Sequence, residues 1–288
     1  MTFCRKILLP SVFLSCFLYQ GCFRANLSND PEAVAALTNR GIENLRAFDF
    51  SVAFRDLSRA QPFWAPGSEM EEMGSYALAL ASWHQTPPDE ARIALATGIL
   101  EKLSQSSNRD LAAQALIDLG RIYEVPDFAR DVVDIDRARA YYNQVISGKD
   151  FSPEFIYKAS LRLAQTYAQE LKTESYAAAV EILERVLEQV EHPGWEAVTH
   201  KYLGQLHGEY IEDPLKALHH FDLAREKELM PDSRGDQLLW RMAEFAEAAN
   251  QLARAKELYA EIISEFPRSP FQSTAGDRIE SIDRILTQ

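Results

Sequence analysis

At 288 residues, 47% hydrophobic and 25% charged, the chain has the balance of a folded protein, with length for one elongated repeat array or two ordinary domains. Only 12 glycines and 13 prolines interrupt a composition rich in Ala, Leu and Glu, residues that lose little freedom in a helix. A formal net charge of −13 without any basic run excludes nucleic acid as an expected partner, and with it polybasic adhesion to an anionic membrane.

The N-terminal segment, MTFCRKILLPSVFLSCFLYQGC, has a positive start at Arg5 and Lys6 and an apolar stretch from Ile7 to about Tyr19. That stretch is short for a permanent span, which needs roughly 20 apolar residues. A signal peptide over 1–21 is the expectation. All three cysteines, Cys4, Cys16 and Cys22, fall in this region, so the rest of the chain has no disulfide framework, thiol nucleophile or cysteine metal site. Gly21-Cys22 at the end of the apolar stretch, followed by the polar tether RANLSND, resembles the lipobox of bacterial lipoproteins. Tyr19 stands where that family usually has Leu. The resemblance implies lipidation at Cys22 and a tether over 22–29. Soluble secretion and an uncleaved anchor are the alternatives.

From Asp30 onward apolar residues recur at i, i+3, i+4 and i+7, and no alternating strand pattern stands out. Asp30-Pro31, Ser152-Pro153 and Asp213-Pro214 read as helix starts, a capping residue followed by proline in the first turn. Pro62, Pro66, Pro87, Pro88, Pro126, Pro193, Pro231, Pro267 and Pro270 read as turns. One phrase recurs in alternate helices, centred on a small residue: Gly41, Gly74, Gly120, Ala164, Gly204 and Ala243. Each is followed by a second helix opening on an alanine, Ala53, Ala91, Ala138, Ala179, Ala217 and Ala255. Four and seven residues later come a bulky and then a small or branched residue, as in Leu57/Ala60, Tyr142/Val145, Leu183/Val186, Phe221/Ala224 and Tyr259/Ile262. A small residue lets the second helix approach, and the bulky one fills the hollow between hairpins. Residues 271–287 read as a final amphipathic helix with Ile279, Ile282, Ile285 and Leu286 on one stripe, capping the stack.

This pattern resembles the tetratricopeptide repeat. The last unit carries it best: Leu239, Met242, Ala243, Ala246, Ala255, Tyr259, Ile262 and Pro267 fall at the motif spacing. LGRIY (119–123), LAQTY (163–167) and LGQLH (203–207) are further copies, while units with longer loops are similar to the Sel1-type repeat. The resemblance implies an all-α, right-handed superhelical stack of about six hairpins over 30–288. The C-terminal segment is also similar to repeat ends of envelope tetratricopeptide lipoproteins.

In that fold the first helix of each hairpin lines an inner groove. Projection from the small residues puts Gln114, Arg121, Lys158, Gln165, Gln169, Lys201, Gln205, Glu209, Gln237, Trp240 and Glu244 on the groove side. Lys158, Lys201 and Arg121 would bring positive charge into an acidic molecule, the amides could bond an extended backbone, and Trp240 could anchor an apolar side chain. The expectation is a non-catalytic scaffold of the bacterial envelope, outer membrane favoured, that binds a protein or extended peptide and reaches a membrane through Cys22. No cofactor is expected. The familiar chaperone-tail clamp uses asparagines where this chain has glutamines, which disfavours that ligand.

Catalytic spacings such as G-x-S-x-G or H-E-x-x-H do not occur. His192, His200, His207, His219 and His220 cluster in the fifth repeat. His200 and His207 lie seven apart, where the motif puts core aromatics, so core or surface histidines are expected and no metal. A metal-dependent activity at these histidines is one alternative. A cell-wall structural protein, with Trp64, Trp83 and Trp195 stacking on sugars from the turns, is another.

Overall fold

The computed structural model describes residues 30–125, 133–227 and 234–287. The expected signal segment, Cys22 and the expected tether lie outside the described residues, as do Pro126 and Pro231. Among the described residues there are thirteen α-helices and no strand. None of these helices is long and apolar enough to cross a membrane.

The chain divides at 86/87 into two compact units. The first holds α1 (Pro31–Arg46), α2 (Phe50–Ala60), a 3₁₀ turn (Gln61–Phe63) and α3 (Glu69–Trp83). The second holds α4 (Glu90–Leu103), α5 (Arg109–Glu124), α6 (Ile135–Ser147), α7 (Pro153–Ala168), α8 (Thr173–Gln189), α9 (Pro193–Gln205), a π-turn (Leu206–Tyr210), α10 (Pro214–Lys227), α11 (Gly235–Ala248), α12 (Leu252–Glu265) and α13 (Gln272–Leu286). Within the units α1 packs on α2, α5 on α6, α7 on α8, α9 on α10 and α11 on α12, and α13 packs on α12. The second expected hairpin, α3 with α4, straddles the division; α3 packs on α1 and α2, and α4 on α5.

The small residues do what packing requires. A methyl group added at Gly41 would meet Leu57 at 2.6 Å, one at Gly204 would meet Phe221 at 2.8 Å, and one at Gly120 would drive into the Tyr142 ring. Each collision partner is the bulky residue four positions after the hairpin's alanine. Ala53, Ala138, Ala179, Ala217 and Ala255 are all buried. Ala91 is a correction: it is exposed, and Ile93, Thr97 and Leu100 face the core instead. Asp89 caps α4 by accepting from the Arg92 N–H, so the helix starts at Glu90 and its fourth residue, the place the alanine holds in α2, α6, α10 and α12, is Ile93. Pro193 is a second correction, because it opens α9 rather than making a turn. The three predicted helix starts hold at Pro31, Pro153 and Pro214, with Asp30 accepting from Ala33 N–H and Asp213 from Lys216 N–H.

Hairpin turns share a backbone device. Phe48, Leu171, Glu212 and Asn250, each two residues before the second helix, have φ between 54° and 61°. The Asp49 N–H reaches back to Asn44 O and the Gln251 N–H to Ala246 O, the six-to-one bond that closes a left-handed C-cap. In the α9–α10 hairpin the matching bond runs from Asp213 N–H to His207 O, one residue longer, because the π-turn inserts a residue.

Two polar clamps join hairpins to the next helix. The Tyr142 hydroxyl donates to Glu124 at 2.6 Å while Arg162 of α7 holds the other carboxylate oxygen at 3.1 Å. The Tyr259 hydroxyl donates to Glu247 at 2.8 Å, and Arg278 of α13 closes that set from 3.0 Å. Burial pushes both phenols upward, and the carboxylate partner adds to it. The final helix departs from its predicted stripe: Ala275 and Ile282 are buried and Ile279 packs on the core, but Ile285 and Leu286 are more than half exposed.

Candidate functional site

The first-helix face of the second unit carries a cavity of about 470 Å³ between α9 and α11. Lys201 and Gln205 reach it from α9, and Gln237, Trp240 and Glu244 from α11. These five groove positions follow from projection off Gly204 and Ala243, and the structure brings them onto one surface. Trp240 is seated by its neighbours, stacked on Phe271 at 5.0 Å with rings 17° apart and tilted against Tyr259 at 5.1 Å. Phe221 completes an aromatic lining. Around it stand Lys201, Arg234 and Arg241 against Glu244. Arg241 pairs with Glu209 on the π-turn, which ties that predicted groove residue to the rim without placing it in the cavity.

The other predicted groove residues sit elsewhere. Gln114 and Arg121 turn onto Asp118 of their own helix, each at 3.0 Å. Lys158 pairs with Glu154 at 2.5 Å and lies 5.6 Å from the Trp195 ring. That ion pair holds the Glu154 carboxyl below its usual range. Gln165 is half-buried on α7 and Gln169, at its C-cap, is exposed.

Sequence reasoning missed Arg234, Arg241 and Phe271. Arg241 could have been found as an exposed cation three residues before Glu244 on the same helix. Phe271 lies in the α12–α13 connection and carried no signal before Trp240 was placed. Also missed was a cavity of about 480 Å³ in the first unit, lined by Thr38, Asn39, Ile42, Met70 and Met73 among others. It needed only the same projection from Gly41 and Gly74.

Of the three tryptophans expected in turns, only Trp64 lies outside a helix, and it is not free to stack on a sugar. Trp64 is buried, its indole N–H donates to Thr38 Oγ1 at 2.9 Å, and its ring fills the space above Gly74. Trp83 ends α3 and Trp195 lies in the first turn of α9, both half-buried.

The histidines form a second constellation. His200, His207 and His220 are buried, His219 is exposed, and His192 is half-buried before α9. The His200 and His220 rings stack with Nδ1 atoms 3.1 Å apart, and the His207 ring stacks on His220 at 5.4 Å. Burial pushes all three imidazoles down, aided by Lys227 at His200, by Lys216 at His207 and by the neighbouring imidazoles at His220, which falls to about 4.

Comparisons with known proteins agree with this architecture. A family model described as tetratricopeptide repeat matches residues 237–269, the unit in which the motif spacing is best kept. No curated protein matches the sequence. Among solved structures, PilF of Pseudomonas aeruginosa is similar over 88% of this chain and 97% of its own, at 16% identity and TM-score 0.50. PilW, described as a widely conserved type IV pilus biogenesis factor, is similar over 88% of this chain and 99% of its own, at 14% identity and TM-score 0.52. The apo quorum sensor NprR from B. thuringiensis is similar over 86% of this chain and 68% of its own, at 12% identity and TM-score 0.52. At such identities the likeness is one of fold.

Proposed function

We propose that this chain is a non-catalytic adaptor of the bacterial envelope, and that the α9–α11 cavity receives an extended peptide presenting an apolar side chain next to a carboxylate. The convergence of Lys201, Gln205, Gln237, Trp240 and Glu244 with Phe221 and Phe271 on one cavity carries this reading. Aromatic walls reward burial of a side chain, glutamines can satisfy a backbone that has left water, and cations at the rim attract a negative group. Helix pairs of this type hold partners by shape and charge, and the lining offers binding groups rather than a nucleophile paired with a base. Envelope placement is supported by the lipobox-like Gly21-Cys22 and by the fold shared with PilF and with PilW, the pilus biogenesis factor.

A panel of randomised peptides, each made with a free and an amidated C-terminus, tests the groove. Free-carboxylate peptides should bind the wild type, Trp240→Ala should weaken them by about 2 kcal/mol or more, roughly 30-fold, and Lys201→Glu should remove the preference over amides. Equal binding by both variants, with unchanged circular dichroism, rules the groove out. Fatty-acid labelling of wild type and Cys22→Ser tests the anchor; equal labelling excludes lipid at Cys22.

A further inference from the structure

His207 is 3% exposed and neither of its ring nitrogens has a hydrogen-bond partner. A buried polar group left unsatisfied costs about 1–3 kcal/mol, and native structures rarely leave an imidazole with both nitrogens idle. Ligand atoms of Glu184 on α8, His207 on the π-turn and His220 on α10 all lie within 4.8 Å of one another.

We propose that Glu184, His207 and His220 form a binding site for a divalent transition metal of the Zn²⁺ class, with His200 as the positioning residue for His220. Two imidazoles and one carboxylate are a donor set that suits zinc and leaves a fourth position open. Bonds of about 2.0–2.1 Å place tetrahedral ligand atoms about 3.3 Å apart, so the three groups must draw in by at most about 1.5 Å. Glu184 is exposed on α8, so its side chain can rotate toward the two imidazoles. The His200–His220 contact at 3.1 Å engages one ring nitrogen of His220, fixes the ring, and leaves the other nitrogen for the metal. This is the arrangement by which an outer partner sets tautomer and orientation.

The backbone supports the assignment independently of the side chains. His207 sits on the only π-turn among the described residues, and such one-residue insertions concentrate at functional sites. A metal here would tie α8 of one hairpin to the π-turn and α10 of the next. With no cysteine beyond Cys22, the ligands are nitrogen and oxygen alone.

The test is titration of the purified full-length chain, stripped with chelator, with Co²⁺ and then Zn²⁺. One equivalent of Co²⁺ should give the visible absorption of a four-coordinate ion without the near-ultraviolet band that thiolate ligands add, and Zn²⁺ should displace it. Glu184→Gln should weaken binding at least tenfold and His220→Ala more, while His219→Ala, an exposed neighbour on the same helix, should match wild type. Zn²⁺ should raise the thermal midpoint of wild type and of His219→Ala but not of Glu184→Gln. If His220→Ala fails to fold, the exposed Glu184→Gln decides. Absence of stoichiometric uptake, a thiolate band, or unchanged affinity in folded Glu184→Gln overturns the site.

Discussion

At the scale of single residues, Gly120 and Gly98 put opposite demands on the same chemistry. A methyl group at Gly120 meets the buried Tyr142 ring, which Glu124 and Arg162 hold in place, whereas a methyl group at Gly98 meets nothing within 4 Å. Gly120→Ala should therefore cost about 1–3 kcal/mol through overpacking, and Gly98→Ala, on the exposed face of α4, should gain about 0.5–1 kcal/mol from helix propensity. Denaturant unfolding of the two variants reads both signs. Asp56 makes a pH prediction. It is fully buried and bonded to Arg40 at 2.6 Å and Arg55 at 3.2 Å. Burial alone would raise its pKa, but the two arginines outweigh burial and the net shift is downward. A lowered carboxylate stabilises the fold above its unfolded value near 4 and loses that contribution as pH falls through the folded value. Asp56→Asn should cost about 1–3 kcal/mol at pH 7, and its difference from wild type should shrink below pH 4.

At the scale of elements, the repeats were legible because close packing forces a small residue opposite a bulky one. Gly41 with Leu57, Gly120 with Tyr142 and Gly204 with Phe221 can be read from spacing alone. The register of α4 was not, because an Asp cap after two prolines resets where the helix begins, and burial follows the helix rather than the nearest alanine. Nor were the hairpin turns legible. Left-handed positions usually announce themselves as glycine, but here they hold Phe48, Leu171, Glu212 and Asn250. Leu171 is 74% exposed, so Leu171→Gly gives up little burial and relieves a strained backbone. It should raise stability by about 1 kcal/mol in urea unfolding. In α13 the predicted stripe is half right. Ile282→Ala should cost about 2–4 kcal/mol and Ile285→Ala less than about 0.5 kcal/mol, because only the first is inside the core.

At the scale of the whole molecule, two compact helical units carry grooves whose linings differ. The first offers methionines and Ile42, the second aromatics ringed by Lys201, Arg234 and Arg241 in a chain of net charge −13. Projection from the small residues found half of the second lining, since helical geometry alone decides which positions share a face. It missed what comes from long side chains and connections, such as Arg241 reaching Glu209 and Phe271 covering Trp240. The central claim is that partners enter through this second groove. Photocrosslinking in native membranes, with the probe placed in turn at Gln205, at Gln237 and at the exposed Glu226 of α10, tests it most directly. The account predicts one shared partner adduct from Gln205 and Gln237, lost on Trp240→Ala, and none from Glu226. An adduct from Glu226 alone, or groove adducts that persist unchanged in Trp240→Ala, would contradict it.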